Sequence, residues 1–140
     1  MRKDSIMKNL LIVTAILEGM TGIVFLLLPE IPVSILLGTQ LDTQAGLVVG
    51  RLSGAALLAL SFACWIARND INSRAAFGIV LSMLIYNVTA VALLIYVYIG
   101  LELCGIGLWP VVFLHIAMGA WCVVCLRSTK NVSANEGTLS

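Results

Sequence analysis

The sequence predicts an all-α integral membrane protein, a four-helix bundle with both termini in the cytoplasm. Three observations carry this. Of the 140 residues 61% are hydrophobic and only 11% charged, against about 25% charged in ordinary soluble domains. Mean hydropathy is +1.08. Four apolar runs, 9–28, 46–67, 76–99 and 107–126, each approach the ~20 residues needed to cross a ~30 Å hydrocarbon core. A soluble chain of this size could not hide so much apolar surface, and a net charge of +1 gives no basis for nucleic-acid binding.

The first run follows Arg2, Lys3 and Lys8 but has no small-x-small cleavage site before Pro29, so it reads as a retained helix rather than a signal peptide. Pro29 and Pro32 are expected to end it. Val33–Gly38 is apolar but too short to span, and reads as an interfacial helix closed by Gly38. After the polar loop 39–45, the second run ends in Trp65 and Arg68, an aromatic and a cation suited to a membrane boundary. The third run is rich in β-branched and aromatic residues, which favours strand in water. A lone strand in lipid would leave its backbone unpaired, so helix is the viable state. Tyr96, Tyr98 and Trp109 form an expected aromatic belt. Residues 1–127 thus make one transmembrane domain, and 128–140 a polar tail expected to be disordered.

Apart from Arg51, every Lys and Arg lies in the N-terminus, the 68–74 loop or the C-terminal tail, whereas the other two connections carry Glu30, Asp42 and Glu102. The positive-inside rule therefore places both termini in the cytoplasm, with a bacterial inner membrane as the expected location.

Each run carries one ionisable or strongly polar residue in its interior: Glu18, Arg51, Asn87 and His115. At ~1.5 Å per residue, Glu18 lies ~14 Å from the basic end of its helix, Asn87 and His115 lie ~16 Å from theirs, and Arg51 ~24 Å from its own. Three share the midplane and the fourth can reach toward it. Ala15, Glu18 and Gly22 share a helix face, as do His115, Gly119 and Cys122, while Gly50 and Gly54 form a small-xxx-small pair beside Arg51. Glu18, the one acidic residue inside a run, is the expected ion-pair partner of Arg51.

Such a cluster can be structural glue or a binding or proton-handling site. His115 tips the balance toward function, because a group titrating near neutrality is not needed to balance Glu18 against Arg51. The cluster offers too few ligands for a metal site. Ser53, Ser82 and Thr89 lack any nucleophile motif. Cys122 and Cys125 form a C-x-x-C resembling the membrane redox pair of the vitamin K epoxide reductase type. Their place near the cytoplasmic end, with Cys64 and Cys104 far apart in sequence, favours packing over redox chemistry. No cofactor is expected, a quinone being the one candidate. The sequons at Asn87 and Asn131 fall in the bilayer and on the cytoplasmic side and carry no expected modification.

The acidic residue in Ala15-Ile16-Leu17-Glu18-Gly19, the segment Gly50–Leu58 around Arg51, and Trp109 with His115 resemble the small four-helix bacterial membrane proteins grouped as DoxX-like. That resemblance implies a four-helix membrane fold and, for some members, a role as a membrane subunit of a quinone-linked oxidoreductase. It assigns no catalytic residue. Small multidrug transporters also carry one Glu midway along helix 1, but without an Arg51 counterpart.

Three functions follow from these readings. The leading one is an accessory or anchoring subunit of a membrane complex, with a membrane-protein partner or a second copy of itself. The second is a small transporter or binder in which Glu18 and His115 handle protons or a polar head group. The third is an enzyme on a lipid- or quinone-linked substrate, the less favoured reading. A closed Glu18–Arg51 pair would favour the first; an unpaired Glu18 the other two.

Overall fold

The computed structural model describes residues 2–136, with side chains described for residues 5–128. It consists of five helices and, among the described residues, no strand: α1 (Arg2–Leu27), α2 (Glu30–Leu37), α3 (Gln44–Ala67), α4 (Arg74–Gly100) and α5 (Leu108–Glu136). Four are long and apolar enough to cross a membrane, over Ser5–Leu27, Gln44–Ala67, Arg74–Gly100 and Leu108–Ser128. These match the four expected runs to within a turn or so. Large apolar side chains face outward along all of them, including Met20, Leu52, Ile85 and Phe113, as helices surrounded by lipid require.

The helix ends follow local chemistry. Thr43 caps α3 by accepting the Gly46 N–H at 3.1 Å, and Ser73 caps α4 by accepting the Ala76 N–H at 3.1 Å, each satisfying an amide that the first turn leaves unpaired. The short helix α2 starts at Glu30, earlier than Val33, and contains Pro32. A proline is tolerated there because first-turn amides have no intrahelical acceptor to lose. Gly38 ends α2 as expected, in the left-handed region at φ 69°. The tail expected to be disordered is helical as far as Glu136, since extending a formed helix requires no new nucleus; residues 137–140 lie outside the described residues.

The long helices form two antiparallel pairs. α1 packs intimately on α3 and α4 on α5, while contacts between the pairs are much thinner. Glycine makes the first pair close: a Cβ on Gly54 would stand 2.5 Å from the Leu26 nitrogen and 2.7 Å from the Gly22 carbonyl oxygen. Ser61 Oγ donates across the same interface to the Ala15 carbonyl at 2.6 Å. Small residues bring the backbones together and a hydroxyl ties them.

Packing is uneven along the bundle. Toward the end that holds the termini, Leu10, Leu11, Cys64, Val80, Met83, Met118, Cys122 and Cys125 form a dense core. Toward the end that holds α2, the two pairs separate and enclose a cavity. There, the loop before α5 is stitched to α2: the Gly105 N–H donates to the Leu36 carbonyl and the Gly107 N–H to the Ile35 carbonyl, both at 2.9 Å. Two of the carbonyls that a helix C-terminus leaves unpaired are satisfied in this way.

Candidate functional site

The cavity between the helix pairs has a volume of about 610 Å³ and is lined by all five helices. Its walls are apolar, with Leu17, Phe25, Leu57, Leu94, Val111 and Met118 among them. Four polar groups gather beside the dense core, Glu18 from α1, Tyr86 and Asn87 from α4 and His115 from α5, and the hydroxyl residues Thr21 and Ser53 stand elsewhere on the wall.

Asn87 is buried, at 4% exposure, and both ends of its amide are committed. Its Nδ2 donates to the Met83 carbonyl at 2.7 Å, and its Oδ1 lies 2.8 Å from His115 Nδ1. A carbonyl oxygen can only accept, so the atom facing Met83 must be the amide nitrogen and the atom facing His115 the oxygen. That oxygen in turn accepts a hydrogen bond from the His115 Nδ1–H. The neutral imidazole therefore keeps its lone pair on Nε2, which has no protein partner among the described residues. The ring is also held edge-on by Tyr86, with centroids 5.5 Å apart and planes at 80°. Gly119, one turn beyond His115, faces α4 with room to spare: a Cβ there would make only ordinary contact, 3.6 Å from Asn87 Cβ.

Tyr86 stands beside Glu18 on the cavity wall, close enough for the two groups to interact electrostatically. Tyr86 was not among the residues picked out from the sequence. The available signal was position: Tyr96 and Tyr98 belong to a boundary belt, but a tyrosine beside Asn87 at mid-span needs a partner for its hydroxyl.

Arg51 departs from expectation. It does not line the cavity, it is exposed, and no Glu18–Arg51 ion pair forms among the described residues. The cause is helical geometry. Gly50 and Gly54 turn toward α1 and Pro29, and Arg51, a residue further along, is swung about 100° away from that face. Ser53 reaches the cavity wall instead, its hydroxyl bonded back to the Val49 carbonyl at 2.9 Å.

Cys122 and Cys125 are 0% and 2% exposed in the dense core, where small thiols pack as hydrophobes. Cys64 Sγ lies 3.5 Å from Met83 Sδ in the same layer, and no cysteine is in a disulfide. No group of three or more His, Cys, Asp and Glu side chains among the described residues is placed to hold a metal ion. At the boundaries, Tyr98 and Trp109 meet edge to face at 5.2 Å, and the Arg68 guanidinium lies over the Trp65 ring, 3.3 Å from its centre.

The fold and site define a helical chain of membrane-spanning character with a hollow polar-ended interior. No family model, curated protein or solved structure matches it.

Proposed function

We propose that this is a multi-pass protein of the bacterial cytoplasmic membrane, both termini inside, that binds a lipophilic molecule carrying a hydrogen-bond-donating head. The reading rests on one observation: Glu18, Tyr86, Asn87 and His115 meet at one end of a predominantly apolar cavity. Its volume of about 610 Å³ lies in the ~300–1,000 Å³ range of small-molecule sites. The chemistry of the polar end is biased toward acceptance. Glu18 offers carboxyl oxygens and His115 offers Nε2, while the His115 Nδ1–H and one Asn87 N–H are already used within the protein. A head group that donates satisfies them, and an apolar tail covers the walls.

Purely structural glue would leave Glu18 neutralised by Arg51, and that pair is not formed among the described residues. The orientation rests on the one-sided distribution of loop cations and on the positive-inside rule.

The test is binding of 1-dodecanol, a neutral donor with a long tail, to the protein in nanodiscs, read against empty nanodiscs. Saturable binding is expected, and Ala90→Trp, which fills the cavity wall, is expected to abolish it in a protein that still folds. Non-saturable uptake equal to that of empty discs would refute the reading.

A further inference from the structure

Glu18 poses a charge problem. It is the one acidic side chain on the cavity wall, and that wall carries no Lys or Arg. No basic nitrogen lies within ion-pair range of its carboxylate among the described residues. The groups facing it are Cys64 from α3, Tyr86 from α4 and His115 from α5; the α2 residues on the wall, Pro32, Ile35 and Leu36, do not titrate. Among these only His115 can become positive, by taking a proton at Nε2, and neither of its ring nitrogens lies within ion-pair range of the carboxylate.

An isolated carboxylate in a low-dielectric cavity is stable only when something neutralises it. Two species can do so here, a proton or a cation brought in by the ligand. The surroundings suit the second. The Tyr86 and His115 rings stand at 80° to one another beside the carboxylate, and Phe25 adds a further ring to the wall. Aromatic faces attract ammonium groups, quaternary ones included, once water is removed.

We propose that the cavity takes lipophilic ammonium compounds, the cation displacing a proton from Glu18. This rests on the reading of the cavity as a lipophilic binding site and widens the head group from a neutral hydrogen-bond donor to a cation, which the carboxylate attracts with or without an N–H. The exchange is charge-balanced: one proton leaves the carboxyl for solvent as one monovalent cation enters, and no covalent bond other than O–H is broken. Glu18 is the group exchanged, Tyr86 stands beside it, and the apolar walls receive the tail.

The experiment compares dodecyltrimethylammonium, permanently charged at every pH, with 1-dodecanol, which has the same tail. Both are titrated into protein-loaded nanodiscs, with empty nanodiscs subtracted, between pH 5 and 8. The ammonium probe is expected to bind at least tenfold more tightly than the alcohol at the upper end of this range. Its affinity is expected to fall as pH falls, approaching tenfold per pH unit where the proton holds the carboxyl, with up to one proton released per cation bound in weakly buffered solution. Glu18→Gln is expected to remove the preference, the pH dependence and the proton release while alcohol binding persists. Should that variant not fold, the wild-type pH dependence and proton count decide alone. Alcohol binding equal to ammonium binding, or ammonium binding without proton release at any pH in the range, overturns the inference and leaves the lipophilic site standing. Failure of both probes overturns both readings.

Discussion

Replacing Asn87 by Leu tests the polar layer at its most constrained point. The substitution keeps the branching and the number of side-chain heavy atoms at a site with 4% exposure, and the adjoining cavity has room for the larger methyl groups, so cavity formation and overpacking contribute little. It removes the 2.7 Å bond to the Met83 carbonyl and the 2.8 Å bond to His115. The Met83 carbonyl keeps its helical partner, because the backbone N–H of residue 87 remains. His115 Nδ1–H does not, and an unpaired buried donor costs about 1–3 kcal/mol. Interhelical hydrogen bonds within membranes average nearer 0.6 kcal/mol, with a maximum of about 1.7. The expected loss for Asn87→Leu is therefore about 1–2 kcal/mol. The assay is reversible unfolding in mixed micelles, run as a double-mutant cycle with His115→Phe, which keeps a ring against Tyr86 but removes both nitrogens. A coupling energy of about 0.6–1.7 kcal/mol is expected. Losses that add to within about 0.3–0.5 kcal/mol would show that the two residues do not interact, and the assignment of the His115 tautomer would fall with them.

Gly54→Val is expected to prevent folding, since its Cβ would stand 2.5 Å from backbone on α1, whereas Gly78→Ala, which meets nothing within 4 Å, should be neutral or stabilise by up to about 1 kcal/mol; equal folded yields of the two variants would contradict the α1–α3 packing. With Glu18 and Arg51 unpaired, Glu18→Gln and Arg51→Gln are expected to change stability additively, and recovery in the double variant would restore the ion pair. Reporter fusions after Gly38 and Gly105 should report the outside and those after Asn72 and Ser140 the cytoplasm; an outward signal at Asn72 would reverse the orientation. Cys122→Ala with Cys125→Ala should leave ligand binding intact, and a trapped mixed disulfide through either thiol would reassign them to redox chemistry.

What could be read from the chain depended on the range of the interaction involved. Spans follow from composition, and Gly38 announces a helix end because few other residues adopt its backbone conformation. Asn87 and His115 could be brought together from depth alone, since each sits near the middle of its run. Arg51 could not be placed that way. Depth fixes a residue's height along a helix but not its azimuth, and the azimuth of α3 is set by the contacts of Gly50 and Gly54 with α1 and Pro29. Those same glycines were legible as a packing pair, and following the 100° step to Arg51 would have turned it outward. The caps at Thr43 and Ser73 were also within reach, each being a hydroxyl residue at the start of an apolar run. The pairing of α1 with α3 and of α4 with α5 was not, because it depends on which faces lie closest, a property of the whole bundle.

The bonds from Gly105 and Gly107 to Leu36 and Ile35 join a segment belonging to one helix pair with the segment leading into the other. Among the described residues they are the backbone bonds that cross between the two halves, and they lie at one end of the molecule. They act as a clasp. Ile35 and Leu36 also form part of the cavity wall, so the clasp is at the same time a stopper over the α2 end, while the dense core seals the opposite end. If the hollow takes a bilayer-dissolved ligand as proposed, the thin contacts between the pairs are where that ligand would enter.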